Sequence, residues 1–185
     1  MDKKTKLLLD KGESLPIMET FYTIQGEGFH KGSASYFIRT GGCDIGCHWC
    51  DVKESWDENS HPIISVEEIV KKSVGFSDCV VVTGGEPLMW NMNPLTKALK
   101  KLGKKTHVET SGAYPLTGDW DWVCLSPKKA KLPIKDAYNH AHELKVIIYN
   151  NPDFIFAQEQ AEKVNKNAIL YLQPEWGKRE KMMPL

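Results

Sequence analysis

Cys79-Val80-Val81-Val82-Thr83-Gly84-Gly85-Glu86-Pro87 sets a β-branched run directly before two glycines, a carboxylate and a proline. Val80 to Thr83 predicts a strand, and glycines at a strand's carboxyl end are how parallel α/β sheets bring backbone close to a ligand. Five more short runs rich in β-branched and aromatic residues predict strands: Tyr36 to Thr40, Thr106 to Glu109, Trp122 to Leu125, Leu144 to Tyr149 and Ala168 to Leu172. Three helical stretches separate some of them. Ser65 with Glu68 three residues on is a capping-box signature ahead of Ile69, Val70 and Val74. Asn93-Pro94 opens a stretch carrying Leu95, Ala98, Leu99 and Leu102 that Gly103 stops, and a third runs from Asp153 to Val164 after Pro152. Alternating strands and helices predict a mainly parallel sheet. A closed eight-stranded barrel takes about 200 residues or more. The 185 residues, six strands and three helices therefore predict an α/β fold, an incomplete (open) TIM-like barrel with few helices.

Polar, glycine-bearing motifs follow most of these strands: Gly41-Gly42-Cys43 onward, Thr83-Gly84-Gly85-Glu86-Pro87, Glu109-Thr110-Ser111-Gly112, Ser126-Pro127-Lys128 and Gln173-Pro174-Glu175-Trp176. Their positions predict one cavity at the carboxyl edge of the sheet. No linker divides the chain, so residues 1–185 are read as one domain. Twenty-four basic residues cancel 24 acidic ones, which leaves no overall cationic field for nucleic acid and favours a small-molecule partner. No apolar run approaches membrane-spanning length, and Leu7-Leu8-Leu9 is too brief for a signal peptide. A cytoplasmic setting with reduced thiols is expected.

Cys43, Cys47 and Cys50 form a C-x3-C-x2-C triplet, with Trp49 just before the last cysteine. Three thiolates are one short of a closed tetrahedral zinc site, whereas a four-iron cluster on three cysteines leaves one iron open for a small molecule. Taken alone, the triplet is compatible with zinc, redox thiols or a cluster. Cys79 and Cys124 lie in apolar runs and are expected in the core.

The triplet followed by Gly84-Gly85-Glu86, in that order, resembles the radical S-adenosylmethionine family. Phe21-Tyr22-Thr23-Ile24-Gln25-Gly26-Glu27-Gly28, Glu109-Thr110-Ser111-Gly112 and Ser126-Pro127-Lys128 resemble the 7-carboxy-7-deazaguanine synthases within it, over about Ile17 to Trp176. The resemblance implies a [4Fe-4S] cluster on Cys43, Cys47 and Cys50, with S-adenosylmethionine chelating the open iron. It also implies conversion of 6-carboxy-5,6,7,8-tetrahydropterin to 7-carboxy-7-deazaguanine with loss of ammonia, on the route to queuosine and other deazapurines. A radical on the cofactor's 5′ carbon would take hydrogen from C6 of the pterin, the ring would contract, and hydrogen would return.

Carried onto this chain, the cofactor would meet Trp49, Cys50, Asp51, Gly85, Glu86, Ser126, Pro127, Lys128, Gln173, Pro174, Glu175 and Trp176. The pterin would meet Ile24, Gln25, Gly26, Glu27, Arg39 and Thr83. A Gln amide offers donor and acceptor to a pterin edge, and a planar guanidinium such as Arg39 suits the substrate carboxylate. His48 is expected outside the ligand set, since its ring would fill the place the cofactor needs. Lys145 and Glu143 are expected to form a structural ion pair.

Two departures from the family stand out. Many synthases place Thr or Ser directly after Cys-Asp, where the hydroxyl helps hold Mg²⁺; here that position is Val52, which cannot ligate a hard cation, so that Mg²⁺ would either bind through Asp51, water and substrate or not be required. Family members also usually continue past the point where this chain stops, at Met182-Met183-Pro184-Leu185 in what reads as the opening of a helix. The resemblance further implies a flavodoxin or ferredoxin as electron donor and a homodimer. Two competing functions share some of the same residues: an activase that makes a glycyl radical on a partner enzyme, and a zinc-binding interaction module. Arg39 and Ser126-Pro127-Lys128 favour the synthase, because a small carboxylated substrate accounts for them better.

Overall fold

Ile38, Val80, Val82 and Val108 are fully buried on one face of their strands, while the residues between them, Arg39, Val81, Thr83, His107 and Glu109, face the other way. That period-two alternation organises the molecule. In the computed structural model, residues 2–183 are described; Pro184 and Leu185, part of the expected helix opening, lie outside the described residues. The elements run α1 (Lys3–Lys11), β1 (Ser14–Ile24), β2 (Ala34–Thr40), β3 (Ile63–Ser65), α2 (Val66–Ser73), β4 (Cys79–Gly84) and α3 (Asn93–Lys101). They continue with β5 (Lys105–Thr110), β6 (Trp122–Leu125), α4 (Lys135–His140), β7 (Glu143–Ile148), α5 (Pro152–Ala161), β8 (Ile169–Pro174) and α6 (Arg179–Met182).

The six expected strands are β2 and β4 to β8, and all pair in parallel with one another along the sheet. The sheet has eight strands in the order β3-β1-β2-β4-β5-β6-β7-β8, because β1 adds antiparallel to β2 and the short β3 adds outside it. Its two ends do not pair, so the sheet is open, as expected. Leu7 to Leu9, read only as too short for a signal, fall in α1, where the Asp2 carboxylate caps the helix by accepting from the backbone N–H groups of Lys4 and Thr5. Ser65 caps α2 as its sequence predicts, accepting from the Glu68 N–H at 3.2 Å, while the Glu68 carboxylate pairs with Lys72 at 3.0 Å.

One apolar cluster joins the outer faces of β2, β4 and β5 to Ile69 of α2 and to Leu95 and Leu99 of α3. A second joins Leu144, Val146 and Ile148 of β7 to α4 and α5. The inner face is lined with polar and aromatic side chains. Its lower end is closed by the β1–β2 turn, whose Phe29 stacks on Trp122 at 5.0 Å while His30 lies 4.5 Å from both Trp122 and His107. The Phe29 N–H donates to Glu143 at 3.2 Å, and Gly28, at φ +68°, lies where a Cβ would meet the Glu143 carboxylate at 2.1 Å. Only glycine fits both constraints.

Burial, reinforced by the neighbouring His30, brings His107 down to about 4, and burial lowers His30 in the same direction. A histidine held below its ordinary 6.5 binds fewer protons folded than unfolded, so its contribution is complete above that value and is lost as pH falls toward 4. In His107→Phe, denaturant midpoints measured at about pH 7 and about pH 4.5 are expected to differ less than in the unsubstituted protein. An equal acid loss in both would contradict this role.

Candidate active site

The carboxyl ends of the parallel strands surround a cavity of about 450 Å³. Cys43, Cys47 and Cys50 line it, all three half-buried. Burial pushes the Cys43 thiol up, and the negative charges of Glu86, Cys47 and Cys50 add to the effect. Burial raises Cys47 as well, against the pull of Lys128. The three sulfurs thus influence one another across a shared space. Among the described residues, no set of three or more His, Cys, Asp or Glu side chains is arranged to hold a single ion. Three separated thiols around a cavity suit the wider body of a four-iron cluster, and the Val52 N–H donates to Cys50 Sγ at 3.4 Å, a bond of the kind that tunes such clusters. His48 is exposed, edge-on to Tyr149 at 5.0 Å, and takes no part in the thiol set. Cys124 is buried as expected, and Cys79 is partly exposed at the start of β4.

The cysteine loop is fixed mainly by backbone. Gly42 N–H donates to Ser55 O at 2.7 Å, Cys43 N–H to Trp56 O at 3.0 Å, and Trp90 Nε1–H to Gly41 O at 2.9 Å. From the other side, Gly85 N–H donates to Thr40 O at 2.9 Å and Glu86 N–H to Gly42 O at 2.8 Å. The contact is close enough that a Cβ on Gly85 would lie 2.2 Å from Gly42 O and 3.0 Å from Cys43 Cβ. Gly85 therefore lets two loops touch. Farther out, Asp44 accepts from Tyr114 Oη at 2.6 Å and from Lys131 Nζ at 2.8 Å.

Glu86, expected to meet the cofactor, lines the cavity, and its carboxylate also ties the surrounding loops together. It is 1% exposed and accepts from Leu88 N–H at 3.0 Å, Ser111 N–H at 2.7 Å, and the hydroxyls of Thr110 and Ser111. Four donors fill a carboxylate's capacity, so Glu86 ties the loop after β4 to the loop after β5 and leaves Gly85 at the surface. Lys128 Nζ donates to both the carbonyl and the hydroxyl of Ser126 at 2.6 Å and lies 5.7 Å from the Trp49 ring centroid. Gln173, Pro174, Glu175 and Trp176 line the opposite rim, with Trp176 exposed and stacked under Arg179 at 4.1 Å. Pro127, expected at the cofactor, is buried between Ser126 and Lys128 and is not among the residues lining the cavity.

Ile24, Gln25, Gly26 and Glu27 also line the cavity, but they enter from the amino end of the parallel strands, because Ile24 pairs with Ala34 at the start of β2. Gln25 Nε2–H donates to Glu109 at 2.9 Å, and Thr83 Oγ1–H donates to the other Glu109 oxygen at 3.3 Å. Arg39 lines the wall with Nε 2.8 Å from Glu19. Lys145 does not pair with Glu143 as expected. It reaches Glu27 at 2.8 Å and Glu109 at 3.8 Å, while Glu143 accepts from Phe29 N–H and Trp122 Nε1–H, both at 3.2 Å. Glu109 was expected at the cavity only as part of its loop motif, with no contact assigned, and Lys145 was absent from the expected site; its signal is a polar residue alternating with apolar ones inside a strand, as in Leu144-Lys145-Val146.

Parallel strands around three cavity-lining cysteines, with a Gly-Gly-Glu loop packed on them, define a radical S-adenosylmethionine enzyme, and residues 37–125 match the Radical SAM superfamily. The 7-carboxy-7-deazaguanine synthase of Flavobacterium psychrophilum is 62% identical over 184 residues, covering 100% of this chain and 88% of that protein. The 7-carboxy-7-deazaguanine synthase of a Synechocystis species is 52% identical, covering 88% of this chain and 79% of its own. The crystal structure of QueE from Escherichia coli superposes with a TM-score of 0.80 at 28% identity, covering 94% of this chain and 88% of that one. The chain belongs to the 7-carboxy-7-deazaguanine synthase family.

Gly85→Ala should separate the two touching loops. After identical anaerobic reconstitution, its iron and sulfide content is expected to fall well below that of the unsubstituted protein while the circular dichroism of the sheet persists. Normal cluster loading in Gly85→Ala would contradict the close-packing account.

Proposed function

We propose that this chain converts 6-carboxy-5,6,7,8-tetrahydropterin to 7-carboxy-7-deazaguanine with loss of ammonia, at the cavity just described. The observation that carries the proposal is that one cavity has three thiols at its rim and the Gln25, Glu27, Thr83 and Glu109 set toward its floor. Cys43, Cys47 and Cys50 would hold the [4Fe-4S] cluster. Gly85, Ser126, Lys128, Trp49 and the Gln173 to Trp176 rim would hold S-adenosylmethionine between cluster and substrate. When bound, this pair supplies a carbon radical strong enough to remove hydrogen from a C–H bond.

The protein's own part is placement and exclusion of water. Glu109 and Glu27 offer acceptor oxygens to the N–H edge of a pterin, and the Gln25 amide is held in one orientation because its Nε2 donates to Glu109 and its Oε1 accepts from the Glu27 N–H at 3.2 Å. With Arg39 Nε occupied by Glu19, its two terminal nitrogens remain to fork onto the substrate carboxylate. Phe21, Phe37 and Ile147 complete an apolar wall that a flat ring can lie against.

A magnesium ion fits this site poorly. Asp51 stands exposed beside the isopropyl group of Val52, whose carbonyl already accepts from Ser55 Oγ–H at 2.7 Å. A hard cation prefers several oxygens and finds one carboxylate here. No step is assigned to it.

Among the described residues, no helix is long and apolar enough to cross a membrane. A cytoplasmic setting, a homodimer and a flavodoxin or ferredoxin as electron donor complete the proposal, on the strength of the family resemblance and the reduced thiols. A deep cavity built for a small ring, together with the synthase relatives, favours this function over the activase.

The test is anaerobic incubation of the reconstituted protein with carboxytetrahydropterin, reductant and S-adenosylmethionine, in EDTA and in Mg²⁺. Mass spectrometry is expected to find the deazaguanine product at comparable rates in both. No product in either would overturn the function, and product only with Mg²⁺ would overturn the account of Val52.

A further inference from the structure

Lys145 is a buried charge for which the reaction outlined above has no use. It is 5% exposed, it lies on the inner face of β7, and it lines the cavity. Its Nζ stands 2.8 Å from Glu27 Oε2 and 3.8 Å from Glu109 Oε2. The two carboxylates come from different parts of the fold. Glu109 is on β5, in the wall, while Glu27 is on the β1–β2 turn, in a segment flanked by Gly26 and Gly28 that has little rigidity of its own.

We infer that Lys145 is the positioning residue of the substrate subsite: it draws the Glu27 turn onto the wall and lets two carboxylates stand side by side as acceptors for the N–H edge of the heterocycle. This rests on the proposed function and names the residue that assembles that site. Without a cation between them, two carboxylates facing one half-buried space repel, and one either takes a proton or swings out to solvent. Either response removes an acceptor from the ligand edge. Glu27 is the one free to leave, because Glu109 is also held by Gln25 at 2.9 Å and Thr83 at 3.3 Å.

The other charged groups near Lys145 support this assignment. Burial works against its charge, but Glu109, Cys124 and Glu27 together outweigh burial and raise it above the ordinary lysine value. It therefore stays a cation at any working pH, which suits a fixed counter-charge and excludes a proton-shuttling role. Glu143 lies two residues away on the same face, yet its carboxylate is committed to Phe29 N–H and Trp122 Nε1–H. A lysine placed only to stabilise the floor would pair with that nearer carboxylate. This one reaches 118 residues back along the chain to the turn that carries the substrate-facing glutamate.

Lys145→Met, Lys145→Arg, Glu27→Gln and the double variant Glu27→Gln with Lys145→Met separate the possibilities. In Lys145→Met, cluster content and the cluster's response to S-adenosylmethionine are expected to stay normal, while KM for the pterin rises about 30-fold or more and kcat changes less. Lys145→Arg should recover much of that loss, because it restores the cation. In the double variant the loss should be smaller than the product of the two single losses, because removing one carboxylate relieves the repulsion that the missing lysine leaves behind. An unchanged KM in Lys145→Met would overturn the inference. So would a loss confined to thermal stability, or strictly multiplicative effects in the double variant. If the unsubstituted protein makes no deazaguanine product, the proposed function fails; if it does and Lys145→Met matches it, only this inference fails.

Discussion

The Glu86 carboxylate is the interaction on which the arrangement of the site depends. An acidic group 1% exposed, with no salt bridge among the described residues, is tolerated inside a protein only if donors satisfy it, and here Leu88, Thr110 and Ser111 do so. Its four bonds hold the loop after β4 against the loop after β5. The same loop's backbone is bonded to Thr40 and Gly42 at the end of β2. Three neighbouring strand ends are thereby set in one register, and the cysteine loop takes its place from them. Replacing a single donor would leave a buried acceptor unsatisfied, so the network behaves as a unit.

Strand alternation supplies the rest. Each inner strand spends its even-numbered or odd-numbered residues on the helices and the remainder on the cavity, so core and site are built from the same short segments. A one-residue slip of β7 would exchange Lys145 with Val146 and empty the floor of its only buried lysine among the described residues. The open sheet leaves room for the β1–β2 turn to enter from below, and the stacking of Phe29 on Trp122 keeps it there. The cavity thus has a sulfur-lined rim and a carboxylate-lined floor.

Much of this was legible in the sequence because local signals carried it. Val80 to Thr83 and its five counterparts announce strands, Ser65 announces a helix start, and the cysteine spacing with Gly84-Gly85-Glu86 marks the rim. What stayed hidden depends on contacts distant along the chain. Phe21 to Ile24 read as a signature rather than as strand β1, and nothing local says that Gln25 and Glu27 approach from the amino end. Lys145 looked like the partner of Glu143 because the two are close in sequence; its actual partners lie 118 and 36 residues away. The motif shows that Glu86 lines the cavity but not that Thr110 and Ser111 donate to its carboxylate. Pro127 shares a tripeptide with two cavity-lining residues yet does not line the cavity itself.

A cluster held by Cys43, Cys47 and Cys50 would leave one metal position open to S-adenosylmethionine. Electron paramagnetic resonance of the reduced, reconstituted protein tests it directly, with cofactor carrying a ¹⁵N-labelled amino group. A four-iron signal that shifts on cofactor addition and shows coupling to that nitrogen is the predicted result. A spectrum unchanged by the cofactor, or a protein that retains zinc and shows no cluster signal at all, would contradict it.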